Sequence, residues 1–333
     1  MSRKRRTSDA QHGDPTQHED YAPRRPRRFL WTFTLLLLAL GLLAWFAPMI
    51  IATTDLRQQI VPRIFPDAKA EFTIGSASLG WLSPVELRHI QARDAEGQPL
   101  LEVESVTTQL PLWQLVRNRQ NLGMISVYGL TWHAEVEEDG TNLESAFGDT
   151  FRSDGDDALP TLTVEVVESR IELNDRVAGR TATLEIPTAN VNLDPHSASP
   201  IAAEATTRVI DGASQGELRL NYADHVTADG NATSVRHQLD MAATQTSLRP
   251  LACILRRLLG PCDIGGLTSG QLTLEWTDTI DSPIVLTGQV ATSQLQLASP
   301  QWFGQEVFQS QVAAYSGSLS IGADRIVANS ASF

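Results

Sequence analysis

The side chains of this chain that are able to do chemistry are few and scattered. Seven histidines, His12, His18, His89, His133, His196, His225 and His237, stand singly, without the H-E-x-x-H spacing that puts two imidazoles on one helix face. A strand-to-helix G-x-S-x-G elbow, which would expose a serine nucleophile, is absent. So is a phosphate-cradling glycine loop, since Gly265-Gly266 is a bare turn dipeptide. Glu102, Glu104 and Glu165 alternate with apolar residues, the signature of the wet side of a strand and not of a general acid. Asp154-Gly155-Asp156-Asp157 lacks the D-x-[DN]-x-[DN]-G register of a calcium loop and reads as solvated chain. Asn231-Ala232-Thr233 fits a glycosylation sequon that is too common to decide anything. These patterns assign no catalytic residue, no metal site and no cofactor, and the expectation is a protein that is not an enzyme.

The two cysteines are Cys253 and Cys262. A zinc site needs four ligands and no histidine lies near them. They flank Gly260-Pro261, a helix stop that reverses the chain, so a disulfide between them is open in an exported domain.

The element that must position everything else is the uncharged run Phe29–Ala52, FLWTFTLLLLALGLLAWFAPMIIA. At 1.5 Å per residue its helix would span roughly 36 Å, enough for a bilayer. Residues 1–28 hold eight Lys/Arg against Asp9, Asp14, Glu19 and Asp20, a net of +4, whereas the remainder holds 18 basic and 35 acidic residues. Positive charge stays inside, so residues 1–28 form a cytoplasmic tail, disordered for want of apolar side chains, and the bulk is exported. The run is longer than a signal-peptide core and ends without a good cleavage site, so an anchor at 29–52 is expected. The tail arginines suffice as a topology signal, and no nucleic-acid partner is expected.

Beyond the anchor, period-two alternation dominates and predicts strands. It marks Phe72/Ile74, Val85/Leu87, Leu101/Val103 and Leu130/Trp132/Ala134/Val136 within a first β region, 53–147. A polar linker at 148–160 follows. Residues 161–333 resume the pattern at Leu162/Val164/Val166, Ile171/Leu173, Leu184/Ile186, Val191/Leu193, Leu218/Leu220, Leu272/Leu274/Trp276, Ile284/Leu286, Leu295/Leu297 and Leu319/Ile321. Short helices are predicted at 54–60 and at Pro111–Asn118. A clearer amphipathic one near 248–260 carries Leu248, Leu251, Leu255, Leu258 and Leu259 as a stripe. About fifteen strands thus present an apolar side that three short helices cannot cover. The sheet must either close on itself or curl into an open trough filled by another apolar substance.

The ordered segments Phe72-Thr73-Ile74-Gly75-Ser76-Ala77-Ser78-Leu79-Gly80-Trp81, Pro84–Ile90, Leu100–Val106, Pro111–Val116 and Asp139-Gly140-Thr141-Asn142-Leu143 are similar to the N-terminal region of AsmA-like proteins. That group includes the TamB-type, bridge-like envelope proteins. Leu267–Leu274, after the leucine helix, resembles the family's internal segments. The resemblance implies a mainly β chain: a single N-terminal transmembrane helix, then an elongated, curled, antiparallel-rich sheet forming an open trough with a few short helices. It implies an inner-membrane protein, N-terminus cytoplasmic and bulk periplasmic, that handles or transfers lipids and supports the outer membrane. The implied groove residues are Phe72, Ile74, Val85, Leu87, Leu101, Val103, Leu130, Trp132, Leu272, Leu274 and Trp276. The implied partners are the inner membrane, phospholipid acyl chains and other envelope proteins. Fifteen strands at about 4.8 Å give roughly 70 Å, so the chain is expected to be the front of a longer protein or to pass lipid to a partner. The alternative is an envelope scaffold that binds proteins through its exported β domain and carries no lipid.

Overall fold

The structure, a computed structural model, describes residues 27–64, 67–137, 140–151, 160–229, 232–253, 256, 261–277, 282–321 and 326–332. The tail at 1–26, the aspartates at 154–157 and Asn231 lie outside them. Two units are formed, residues 1–45 and 46–333.

Helix α1, Arg27–Thr53, contains the apolar run, and its stretch Thr32–Thr53 is long and apolar enough to cross a membrane. Leu35, Leu38 and Leu43 on it are more than half exposed. The last two turns belong to the second unit, where Pro48 and Ala52 are buried. A 3-10 helix, Asp55–Gln59, and the single turn α2, Ile60–Ile64, follow.

Thirteen strands then form one sheet in sequence order. They are β1 Glu71–Ser78, β2 Pro84–Arg93, β3 Pro99–Pro111, β4 Asn121–Val136, β5 Thr161–Asp175, β6 Arg180–Leu193 and β7 Ile201–Asp211. The remainder are β8 Ser214–Asp229, β9 Ala232–Ser247, β10 Asp263–Thr277, β11 Ile284–Ala298, β12 Val307–Ile321 and β13 Ile326–Ser332. Neighbours are antiparallel except β4 and β5, which are parallel. That pair needs a crossover, and α4, Asn142–Phe151, begins it. Residues 148–151 of the predicted linker 148–160 belong to this helix, and residues 152–159 lie outside the described residues. Short helices α3, Leu112–Arg117, and α5, Pro300–Phe303, lie at strand ends. Pro111 is the N-cap of α3, its extended ψ of 156° placing it just outside the first turn. In the predicted helix near 248–260, the described part opens as a 3-10 turn, Arg249–Leu251.

Several strands are longer than alternation predicts. Leu162/Val164/Val166 and Ile171/Leu173 lie on one strand, β5, and Leu184/Ile186 and Val191/Leu193 both lie on β6. The break is a local kink without an inserted residue. Glu168 takes a positive φ of 50° and is left out of the β5–β6 ladder, whose register is the same on both sides, while the apolar positions change from even to odd numbers across it. His89 (φ 53°), Gly129 (φ 65°) and Glu168 occupy corresponding places on β2, β4 and β5, forming a crease across the sheet.

The two sheet edges differ. At β1, the Gln58 carboxamide accepts from Ile74 N–H (2.7 Å) and donates to Ile74 C=O (3.0 Å), so it takes the place of a neighbouring strand. Arg57 Nε adds a bond to the same carbonyl. At β13, β12 is the only paired neighbour among the described residues.

Candidate functional site

The ladder registers place one apolar face along the whole array. On β5 to β8, Val164, Val191, Ala203 and Tyr222 are successive cross-strand partners. The row continues through Leu239, Leu274, Leu286 and Leu319 on β9 to β12. One residue further along, side chains point to the opposite face, and the corresponding row is Glu165, Asn190, Glu204, Asn221, Asp240 and Thr273. There Thr273 Oγ1–H donates to Asp240 Oδ1 (2.6 Å) and Ser126 Oγ–H to Glu165 Oε2 (3.2 Å). A period of two thus separates a dry face from a wet one on β5 to β10, and the dry row runs on to β12.

The dry face is covered unevenly. Over β1–β3 it is a closed core, in which Phe72, Ile74, Leu87, Ile90 and Val103 pack with Val61 of α2 and Ala146 and Phe147 of α4. The Phe72 and Phe147 rings lie 6.0 Å apart at 60°. This corrects the sequence-based groove assignment for Phe72, Ile74, Leu87 and Val103, which are interior residues there. Crossover helix α4, invisible to a strand-period reading, fills the space they face. Leu101 and Leu130 flank that core, and Val85 is half-buried with its N–H donated to Thr108 Oγ1 (3.0 Å). Trp132 is half-buried too, and its Nε1–H is buried without an acceptor among the described residues.

From β5 onward no such cluster forms among the described residues, and Val164, Val191, Leu272, Leu274 and Trp276 are only partly buried. Trp276 is where the face becomes polar. Its ring stacks on His237 (5.2 Å), and His237 Nδ1 lies 2.7 Å from Asp224 Oδ1. Tyr222 Oη–H donates to the same carboxylate oxygen. Asp224 is buried and His237 nearly so, which makes this a desolvated imidazole–carboxylate pair set in an apolar surface. Sequence reading missed the group because Tyr222, Asp224, His237 and Trp276 meet only through the β8–β9–β10 register.

One rim is laced together. Arg180 at the start of β6 forms two bonds to Asp263 at the start of β10, at 2.6 and 2.8 Å. Arg256 pairs with buried Asp175, and Ser247 Oγ–H donates to Asp211 Oδ2 (2.6 Å). The Arg180–Asp263 pairing holds its guanidinium pKa above the usual range. In a flat sheet, strands four places apart would be roughly 19 Å distant. The sheet is therefore curled here, with its β9–β10 connection fastened to β5 and β6.

Cys253 and Cys262 are buried thiols, not the disulfide left open by their spacing; Cys253 Sγ–H is directed at the Pro250 carbonyl (3.1 Å). Burial pushes the Cys262 thiol pKa up. Among the described residues, no group of three His, Cys, Asp or Glu side chains is arranged to hold a metal ion. His133 meets Glu172 on the wet face (3.1 Å), and His89 sits at the crease with a positive φ of 53°.

No protein-family model matches the chain, and none of the curated proteins compared with it does.

Proposed function

We propose that this chain is a lipid-handling protein of the cell envelope, of the AsmA-like type. On this reading α1 is held in the inner membrane, residues 1–26 lie on the cytoplasmic side and the sheet lies in the periplasm. The observation that carries the reading is the partly buried apolar face of β5–β12, which has a polar reverse side and no covering layer among the described residues.

An acyl chain laid on that face leaves water at a gain of about 0.8 kcal/mol per methylene. Successive strands repeat nearly the same surface, so a chain moved by one strand loses and regains similar contacts. Gly288 and Gly317, partnered on β11 and β12 in the row of Leu272, hold positive φ of 146° and 148°, and a Cβ at Gly288 would strike the Gln271 carbonyl oxygen of the neighbouring strand. The core over β1–β3 blocks the dry face at its first strands. Lipid therefore enters from β4 onward and not at the β1 edge.

A photo-crosslinking amino acid at Leu272 in the full chain, expressed in cells, is expected to yield phospholipid adducts. The same residue at Gln271, on the wet face, is expected to yield none. Equal lipid labelling at both positions, or none at Leu272, would overturn lipid handling. A scaffold role is favoured by the one-sided β13 edge and by exposed Val327 upon it. That reading predicts protein adducts at Val327 together with lipid-free Leu272.

A further inference from the structure

Two connections on the rim opposite the ion-pair lacing share an unusual composition. Residues 78–84 join β1 to β2, and residues 108–123 include the end of β3, α3 and the start of β4. Neither contains Asp or Glu, in a chain with 39 of them, yet the second contains Arg117 and Arg119. Large apolar side chains also stand in solvent here: Leu82 is 73% exposed, Val116 54% and Trp113 38%. The Trp113 N–H donates to the Trp81 carbonyl (3.2 Å), so the two connections form one surface. Beside Trp113 a shallow depression is lined by Gln114, Arg117, Asn118 and Asn121.

We infer that this surface is a second membrane contact, in which Leu82, Trp113 and Val116 enter the interface of the bilayer that holds α1 while Arg117 and Arg119 meet anionic phospholipid headgroups. Indole rings favour the headgroup level, and arginine keeps its charge in water while its stem lies along apolar surface. Local charge fits an anionic lipid surface and differs in sign from the chain's net −13. Reach is also adequate. Gln58, five residues after the end of α1, is bonded to Ile74, and Ile74 is four residues from the end of β1. At roughly 2 Å and 3.4 Å per residue that path is only about 25 Å. The inference rests on α1 as a membrane span and is independent of lipid transfer.

The full chain, reconstituted into phosphatidylcholine vesicles with or without phosphatidylglycerol, is labelled at Val116→Cys with an environment-sensitive dye. Val312→Cys, an exposed site on β12, serves as reference. Nitroxide groups near the lipid headgroups are expected to quench the Val116 dye several-fold more than the Val312 dye. Phosphatidylglycerol should increase the difference, and Arg117→Glu with Arg119→Glu should remove that increase. Equal quenching at the two sites, with the chain still resistant to alkaline extraction, would overturn the contact. So would a blue-shifted Val116 dye that lipid nitroxides do not quench, since protein would then cover it. Release of the whole chain by alkaline carbonate would overturn the span and the contact together.

Discussion

Arg180 and Asp263 clasp each other across three intervening strands, with two hydrogen bonds of 2.6 and 2.8 Å between the starts of β6 and β10. Both side chains are two-fifths or more exposed, so Coulomb attraction alone stabilises little. Arg180→Ala and Asp263→Ala are each expected to cost about 0.5–1 kcal/mol, with the double variant costing no more than the larger single one. A double-mutant cycle from thermal unfolding checks this. Additive losses would show that the two residues act separately.

The closed and half-open parts of the dry face should respond differently to truncation. Phe147→Ala removes a buried ring from the β1–β3 core and is expected to cost about 3 kcal/mol. Leu272→Ala, on the partly buried face, should cost about 1 kcal/mol. Denaturant titration of the reconstituted chain compares the two, and a larger loss at Leu272 would contradict the distribution of cover described above.

Desolvation outweighs the favourable charge of Arg256 and raises the Cys262 pKa. Less thiolate then exists at neutral pH, so alkylation of the folded chain should be slow and should accelerate only at a higher pH than for an ordinary thiol. The stability linkage has the same sign. A raised folded-state pKa contributes fully below the unfolded value, about 8.5, and its contribution is lost as pH rises through the folded value. Rate–pH profiles for native and urea-unfolded protein check both statements, and coincident profiles would refute them.

Gln294 is exposed and holds a φ of 53° at the bulge between β10 and β11, opposite Gly266. Gln294→Gly should be neutral or stabilising by up to about 1 kcal/mol, since glycine adopts this conformation without steric cost. Gln294→Val should lose about 1–2 kcal/mol through β-branched strain. Unfolding midpoints of the two variants are expected to move in opposite directions relative to each other.

The dry face was legible in the sequence wherever alternation ran unbroken, as at Leu272/Leu274/Trp276, and so was the apolar helix. Strand length was not. A positive-φ kink such as that at Glu168 changes the inward parity, and a reader of period two sees an ending where the backbone continues. The β1–β3 seal was hidden for another reason. Phe147 packs against Phe72 from 75 positions away, through a crossover helix that the strand pattern does not announce. The Tyr222–Asp224–His237–Trp276 group depends on inter-strand register, which no single-strand pattern contains.

Gln58 gives the sheet a direction of growth. By occupying both backbone groups of Ile74 it turns β1 into a terminus that repels further strands, whereas the outer side of β13 carries no such stopper among the described residues. A variant such as Gln58→Ala would free the Ile74 N–H at the β1 edge, opening that edge to self-association into ribbons.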